Sequence, residues 1–221
     1  MVNKKYGFTL GEVLLAILIV GIIAVLSLPS LMKNIQEKSR MSLLKGTVAS
    51  IGNVVQAELT KERTNDVTVT DIAKNPKVFL QKFSGAKSGK PFATSYRKYS
   101  DAGTIEGVLI PSDDNDGQAV LLMKNGVGIG VVNHAENGQI SFVVDVTGED
   151  KPNMVGVDYF ILKLEMDDGE GFRAGDISSY VNGGEAGAET GAGLKASCIA
   201  GNGASCFRMV ELSGYDPRYL D

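Results

Sequence analysis

The stretch FTLGEVLLAILIVGIIAVLSLPSLM, residues 8–32, decides the fold, because it is a continuous apolar segment with one charged residue, Glu12. As a helix rising about 1.5 Å per residue, it is longer than the roughly 30 Å hydrocarbon core of a bilayer. It is also longer than the apolar part of a secretory signal peptide and lacks the small-x-small cleavage site that would follow one. We therefore expect a membrane helix in which Glu12 needs a partner or an exit to the surface, since an isolated charge in lipid is costly.

We predict that this helix continues past the membrane segment as an amphipathic helix. Pro29 is expected to kink the helix rather than end it, so that one helix runs from residue 8 to about residue 61. Beyond residue 40, apolar residues recur at spacings of three and four, which places them on one face suited to packing on a domain. These residues are Met41, Leu44, Val48, Ile51, Val55 and Leu59.

The rest of the chain predicts an α+β fold in which the long helix packs on an antiparallel β-meander. Asn-Gly pairs at 125–126 and 137–138 indicate hairpin turns, and Asn75-Pro76 indicates the start of a short helix over 76–83. The Gly-rich region 174–206 is expected to hold a surface loop over 174–193. Five runs have the apolar or alternating pattern of strands: 104–111, 118–125, 126–133, 138–146 and 157–166.

Composition argues against several classes of function. The 22 Lys and Arg residues and 26 Asp and Glu residues give a net charge of −4, so no nucleic-acid partner is expected. The single histidine, His134, leaves no second histidine for a relay or a His-rich metal site, and we interpret it as a surface residue. The glycines of GVGIGVV, residues 126–132, fit a tight strand pair better than a phosphate loop. We predict that the protein is not an enzyme.

The chain has two cysteines, Cys198 and Cys206, close together in CIAGNGASC. In an oxidising compartment they would form one small disulfide loop, which in the chain-entropy model stabilises by roughly 2.5 kcal/mol. One alternative is two unconnected thiols. The other is a metal site, which the distance of the histidine in sequence disfavours.

The N-terminus resembles the processing site of the type IV pilin family, which includes the pseudopilins of type II secretion. The resemblance rests on the basic leader Lys4-Lys5-Tyr6-Gly7, on Phe8-Thr9-Leu10 and on Glu12 four residues after Phe8. It is close over roughly the first 35 residues. One departure is Gly11, where a large apolar residue is common in the family.

The resemblance implies a role for each matching residue. A prepilin peptidase would cut between Gly7 and Phe8 and methylate the new amine of Phe8. In a filament, that amine would meet Glu12 of an adjacent subunit. Gly21 and Pro29 stand at the family's positions for a segment that unwinds when subunits pack, although a simple packing kink at Pro29 is the alternative.

The implied organisation has four parts. Residues 1–7 are a basic leader, 8–32 the transmembrane and assembly helix, 33–62 its amphipathic continuation, and 63–221 an exported α+β domain with a Gly-rich C-terminal loop. The expected location is the bacterial inner membrane, crossed once with the N-terminus in the cytoplasm, and then a periplasmic or cell-surface filament. The expected partners are the lipid bilayer, prepilin peptidase, copies of the chain and other pilin-like subunits, and the inner-membrane assembly machinery.

Acidic residues offer one candidate cofactor site, for calcium. Asp145, Asp150 and Asp158 are spaced for a loop between two strands, and the loop is similar to one in some prepilin-type proteins; turn-capping acids are the alternative. PSDDNDG, residues 111–117, approaches the start of an EF-hand loop, but its first and last ligand positions are wrong.

Two interpretations of the whole chain remain open at this point. The first is a structural subunit of a pilus-like filament or a type II secretion pseudopilus, with the particular machine undetermined. The second is a monomeric exported binding domain on an uncleaved single-pass anchor.

Overall fold

The computed structural model describes residues 7–64, 66–83, 89–99, 103–134, 139–164 and 191–220. Its first element, helix α1, runs from Leu10 to Glu62 with Pro29 inside it. The prediction of one long N-terminal helix is confirmed. The chain forms two compact units, residues 1–39 and 40–221, and α1 contributes to each.

In the first unit, α1 is apolar and exposed. Its large side chains from Val13 to Met32 are about half to three-quarters exposed, as with Ile17 at 60% and Leu26 at 75%. Among the described residues, α1 is the helix long and apolar enough to cross a membrane, by length and composition. Within the described part of a single chain, this apolar surface is not covered by other residues, and such a surface is stable only against lipid or another protein.

In the second unit, the same helix supplies one wall of the core. Met41, Leu44, Ile51, Val55 and Leu59 are at most 6% exposed, as the predicted apolar stripe requires. Val48 packs against them and is partly buried. The periodicity seen in the sequence thus identifies the packed face of α1.

Three short elements follow α1. A 3-10 turn at Val67–Val69 leads into helix α2, Asp71–Lys74, and then into helix α3, Pro76–Leu80. The Thr70 side chain caps α2 by accepting a hydrogen bond from the N–H of Ile72, and Pro76 occupies the first turn of α3, where no N–H is needed. The predicted short helix is present and ends at residue 80.

The sheet contains four described strands, ordered β1-β2-β3-β4, and every neighbouring pair is antiparallel. This confirms the antiparallel meander. A turn at Asn125 and Gly126 joins β1 to β2, as predicted, whereas residues 135–138 of the next turn lie outside the described residues. The strands are β1 Gln118–Leu122, β2 Gly128–His134, β3 Gln139–Asp145 and β4 Tyr159–Leu164.

The predicted strand over 104–111 is wrong. Thr104 forms an isolated bridge with Arg97, and the following residues are irregular. Gly107 has a φ of +75°, which interrupts an extended strand, and the Leu109 carbonyl accepts a hydrogen bond from the Tyr159 hydroxyl. The apolar residues that suggested a strand, Val108 to Ile110, instead pack as a half-buried segment against the core.

Close packing of two prolines explains the glycines of β2. A Cβ on Gly128 would lie 1.8 Å from the Pro91 carbonyl oxygen, and one on Gly130 would lie 2.2 Å from Pro111. Pro91 and Pro111 therefore lie over one face of the sheet at a distance that only glycine permits. On the other face, Phe142 of β3 contacts Phe79 of α3, with ring centroids 6.0 Å apart. Both faces are covered, which is why consecutive residues of β3 are buried.

Two helices replace part of the predicted Gly-rich loop. Helix α4 spans Gly191–Ile199 and helix α5 spans Gly203–Leu212, so the expectation of a loop is wrong over 191–193, and neither helix was predicted from the sequence. The apolar residues Leu194 and Cys198, four apart, are buried, and Asn202 caps α5 through the N–H groups of Ala204 and Ser205. Residues 174–190 lie outside the described residues.

A buried charge ties α1 to the segment after α3. Glu58, on α1, is 1% exposed, and its carboxylate forms ion pairs with Lys82 and with Lys61, at 3.4 Å for Lys61. A buried carboxylate that loses a partner is left poorly compensated, which costs far more than losing a surface ion pair.

We therefore expect Lys82→Met to lower the free energy of unfolding by about 2 kcal/mol, less than for a fully buried pair because Lys61 stays within reach. The exposed Lys74→Met is the matched control and should change it by less than about 0.5 kcal/mol. Urea unfolding of the full chain in detergent micelles, followed by circular dichroism, measures both. Adding Glu58→Gln to Lys82→Met should recover part of the loss; equal losses for the two lysine variants would contradict the role of the pair.

Candidate assembly segment and buried polar sites

The start of α1 is closed by a reciprocal pair of hydrogen bonds between Thr9 and Glu12. The backbone N–H of Thr9 and its hydroxyl donate to Glu12 Oε2 at 2.8 and 2.9 Å, and the N–H of Glu12 donates to Thr9 Oγ1 at 3.3 Å. This is a capping box, in which a Thr at the N-cap and a Glu three residues later satisfy the free N–H groups of the first turn. Glu12 therefore has a hydrogen-bond partner three residues away in its own chain.

The other residues of the predicted processing and assembly site surround this cap. Gly7 and Phe8 precede the helix, and the Phe8 side chain is 87% exposed. Gly21 lies in the exposed apolar part of α1, where an added Cβ would meet no atom within 4 Å. Pro29 lies within the helix. The structure thus places Phe8 and Glu12 at one end of an exposed apolar surface.

Cys198 and Cys206 form a disulfide, as predicted, and both residues are fully buried. The bond joins α4 to α5 across a Cα–Cα distance of 4.6 Å. Gly156, with a φ of +84°, packs directly on it: an added Cβ would lie 2.8 Å from Cys206 Sγ and 3.2 Å from Cys198 Sγ. The disulfide therefore fixes the turn before β4 as well as the helix pair.

Two of the predicted calcium candidates, Asp145 and Asp158, form a buried pair. Both are fully buried, and the Thr147 hydroxyl lies between them, 3.2 Å from Asp145 Oδ1 and 3.0 Å from Asp158 Oδ2. Tyr96 donates to Asp145 Oδ2 at 2.6 Å. The two oxygens of Asp158 accept from the N–H groups of Asn153 and Met154, both at 2.7 Å.

The third candidate, Asp150, is exposed and joins this group through its backbone carbonyl, which lies 3.0 Å from Thr147 Oγ1. The hydroxyl of Thr147 has one proton and three acceptors within hydrogen-bond distance. A second proton, on a carboxyl, is needed to make two of these contacts hydrogen bonds at once.

Burial favours the protonated form of these carboxyl groups, because it raises their pKa. Burial, and next the charge of Asp158, raise the pKa of Asp145 to about 7. Burial also raises the pKa of Asp158, against its hydrogen bonds and the nearby Arg40, which lower it. Burial raises the pKa of Tyr96 above its usual value, so this phenol remains a donor to Asp145.

These contacts fit the turn-capping alternative better than a ready calcium site. Calcium takes six to eight oxygen ligands, whereas every carboxylate oxygen of Asp145 and Asp158 already accepts a hydrogen bond from the protein. Asn153 Oδ1 is a buried oxygen without a partner in the described part of the chain. Calcium binding at these residues stays a prediction.

The PSDDNDG stretch caps the open edge of the sheet. The N–H of Val120, on the outer side of β1, donates to Asp113 Oδ1 at 3.0 Å, and the N–H of Gln118 donates to the Asn115 carbonyl at 3.3 Å. Lys77 holds this loop from α3 by donating to the Asp113 carbonyl at 2.8 Å. The acidic loop therefore occupies edge groups that another strand could otherwise bind.

Sequence reasoning missed three of these features. The Thr9 and Glu12 cap has a recognisable signal, Thr-x-x-Glu before an apolar run. The burial of Glu58 has no signal in the sequence. A charged residue beside the apolar stripe of Val55 and Leu59 is as readily expected at the exposed margin of the helix. The Tyr96 to Asp145 bond joins residues distant in sequence. His134 ends β2, and its predicted surface position lies outside the described side chains.

Comparisons with protein-family models, with curated proteins and with solved structures find no significant match.

The raised pKa of Asp145 predicts a pH dependence of stability. Because the pKa is about 7 in the folded state and close to 4 in the unfolded chain, the folded state binds more protons between these values. The free energy of unfolding should therefore fall as pH rises from about 4 to 7, and the contribution of this group should be absent above 7. Asp145→Asn, which does not titrate, should flatten this slope.

Thermal unfolding of the full chain at a series of pH values, with a chelator present, measures the slope. Asp150→Asn is the matched control at an exposed position and should keep the slope of the unmodified protein. A slope that is unchanged in Asp145→Asn would show that other groups carry the pH dependence.

Proposed function

We propose that the chain is a structural subunit of a type IV pilus-like filament or a type II secretion pseudopilus, cut and methylated at its N-terminus and polymerised through α1. The observation that carries the proposal is the single carboxylate at the start of an exposed apolar helix. Such a surface is stable in lipid or against other copies of the same helix.

The position of Glu12 supports a role between subunits. Among the described residues, the hydrogen bonds to this carboxylate reach Oε2 and come from Thr9. Oε1 is therefore available to a donor outside the chain while the cap stays closed. A carboxylate with one oxygen fixed and the other available can accept a second, charged donor without losing its orientation.

Cleavage would supply that donor. Residues 7–9 precede the helix, so the bond between Gly7 and Phe8 lies in non-helical chain. Hydrolysis of this bond would create a positive amine on Phe8. An ion pair between the Phe8 amine of one subunit and Glu12 of another would set the register of neighbouring helices, since a charge pair in low dielectric depends strongly on geometry.

The second unit fits the part of such a subunit that lies outside the membrane. It contains an α+β domain with a buried disulfide, and disulfides persist in oxidising compartments. We propose a single membrane crossing with a cytoplasmic N-terminus, storage in a bacterial inner membrane and later incorporation into a filament. The partners would be prepilin peptidase, other pilin-like subunits and the assembly machinery of that membrane.

Mass spectrometry of the N-terminus, on protein extracted from the envelope of cells that express prepilin peptidase, tests this proposal. The expected result is a chain that starts at a methylated Phe8. Loss of the peptidase should leave residues 1–7 attached. A mature chain that starts at Met1 in both cases would instead support a binding domain on an uncleaved anchor.

A second prediction separates the charge of Glu12 from its orientation. Glu12→Ala should leave membrane insertion and cleavage intact and depress filament assembly, because the acceptor for the Phe8 amine is lost. Thr9→Val should depress assembly less strongly, by about tenfold or less, since the carboxylate remains but loses one of the two bonds that orient it. Thr9→Ser, which keeps the hydroxyl, should assemble normally.

The readout is the amount of each variant in sheared filaments relative to the amount of cleaved protein in the membrane. Normal assembly of Glu12→Ala would remove the proposed electrostatic role. Equal assembly of Thr9→Val and Thr9→Ser would show that the cap does not position the carboxylate.

A further inference from the structure

We propose that residues 215–220, here named the strap, close over the Cys198–Cys206 disulfide after it has formed, so that thiol–disulfide exchange at this bond takes place while the strap is undocked. The inference is independent of the proposed function. It concerns how the bond is made and protected within the second unit.

The strap is docked along its length. The Tyr215 N–H donates to the Val210 carbonyl at 2.9 Å, and the Lys45 ammonium of α1 lies 5.7 Å from the centre of the Tyr215 ring. At the other end, Leu220 is 6% exposed and belongs to the hydrophobic core. Between them, Asp216 caps a turn by accepting from the Arg218 N–H at 2.9 Å.

Tyr219 is the part of the strap that reaches the disulfide. Its hydroxyl donates to the Gly156 carbonyl and lies 4.0 Å from Cys198 Sγ. Gly156 packs on both sulfur atoms, because an added Cβ there would lie within 3.2 Å of each. Tyr219 is half-buried while its hydroxyl reaches the fully buried disulfide, so this side chain extends from the surface of the domain to the bond.

Exchange requires access that the docked strap denies. To form the bond, the thiolate of one cysteine attacks the disulfide of an oxidant, such as an oxidised oxidoreductase, and expels one oxidant thiolate. The second cysteine thiolate then attacks the mixed disulfide and expels the other. The cysteine pair loses two electrons and two protons, and the oxidant disulfide is reduced to a dithiol. Both attacks need an outside sulfur atom to reach a cysteine sulfur atom, and in the folded domain both cysteines are buried with the Tyr219 hydroxyl and Gly156 close to them.

The order of events follows from this geometry. The pair must be oxidised before the strap docks, and the finished bond can be reduced only when the strap lifts. Docking also restrains the turn 154–157, because the Tyr219 hydroxyl donates to the Gly156 carbonyl while the disulfide packs against the same residue. Oxidation, docking of the strap and fixing of the turn before β4 are therefore successive steps in the folding of the second unit.

Native-state reduction of the full chain in detergent micelles tests the proposal. Dithiothreitol is added without denaturant, new thiols are alkylated at timed intervals, and the labelled fraction is measured by mass spectrometry. We expect slow reduction of the unmodified protein and at least tenfold faster reduction of Tyr219→Ala. Tyr219→Phe, which keeps the ring but loses the bond to Gly156, should fall between them.

Leu212→Ala is the matched control, because it removes a large apolar side chain that is exposed at the end of α5 and does not cover the bond. It should be reduced at the rate of the unmodified protein. Equal rates for the unmodified protein, Tyr219→Phe and Tyr219→Ala would overturn the proposal.

The dependence on urea distinguishes lifting of the strap from global unfolding, and it needs no variant that folds poorly. Lifting a short segment exposes little surface, so reduction of the unmodified protein should change less than twofold over low urea concentrations. A reduction rate that rises with urea as steeply as the unfolding equilibrium would show that the bond is reached through the unfolded chain, and the strap would then have no protective role.

Discussion

The architecture depends on one constraint: a single helix must satisfy two different environments along its length. From Arg40 onward, the apolar face of α1 is buried and forms one wall of the protein core. Before Arg40, the apolar side chains are exposed all around the helix. Apolar residues after Arg40 thus stabilise the folded domain. Apolar residues before Arg40 are exposed and need lipid or other helices to cover them. The domain boundary therefore falls within a continuous helix rather than in a loop.

Periodicity in the sequence was sufficient to predict α1, its packed face and the strands β1 to β4, because hydrophobic spacing is a local signal. It failed at 104–111, where an apolar run interrupted by Gly107 packs against the core instead of joining the sheet. It failed again at 191–206, where glycines and alanines concealed two helices. In both cases the deciding contacts come from residues far away in sequence, such as the Tyr159 hydroxyl on the Leu109 carbonyl and the packing of Gly156 on the disulfide.

The candidate sites divide in the same way. Gly7, Phe8, Glu12 and the two cysteines were identified from short motifs, and the disulfide is confirmed. The capping role of Glu12 has a local signal in the sequence, Thr-x-x-Glu before an apolar run, and the structure shows this cap closed. The buried pair of Asp145 and Asp158 could not be foreseen, since acidic residues in a predicted loop give no indication of burial. Tyr96 reaches Asp145 only through the fold, whereas Thr147 is a neighbour of Asp145 in sequence and joins it to Asp158.

The loop that covers β1 limits the directions in which molecules of this kind can associate. With the Val120 N–H held by Asp113 and the Gln118 N–H by Asn115, this margin of the sheet offers a neighbouring chain few of the groups that a continuous ladder requires. At high concentration, these domains are thereby protected on this side from edge-to-edge strand pairing and from the fibrous aggregates that follow it. Ordered association must then use surfaces other than this strand, and the exposed apolar half of α1 is one such surface.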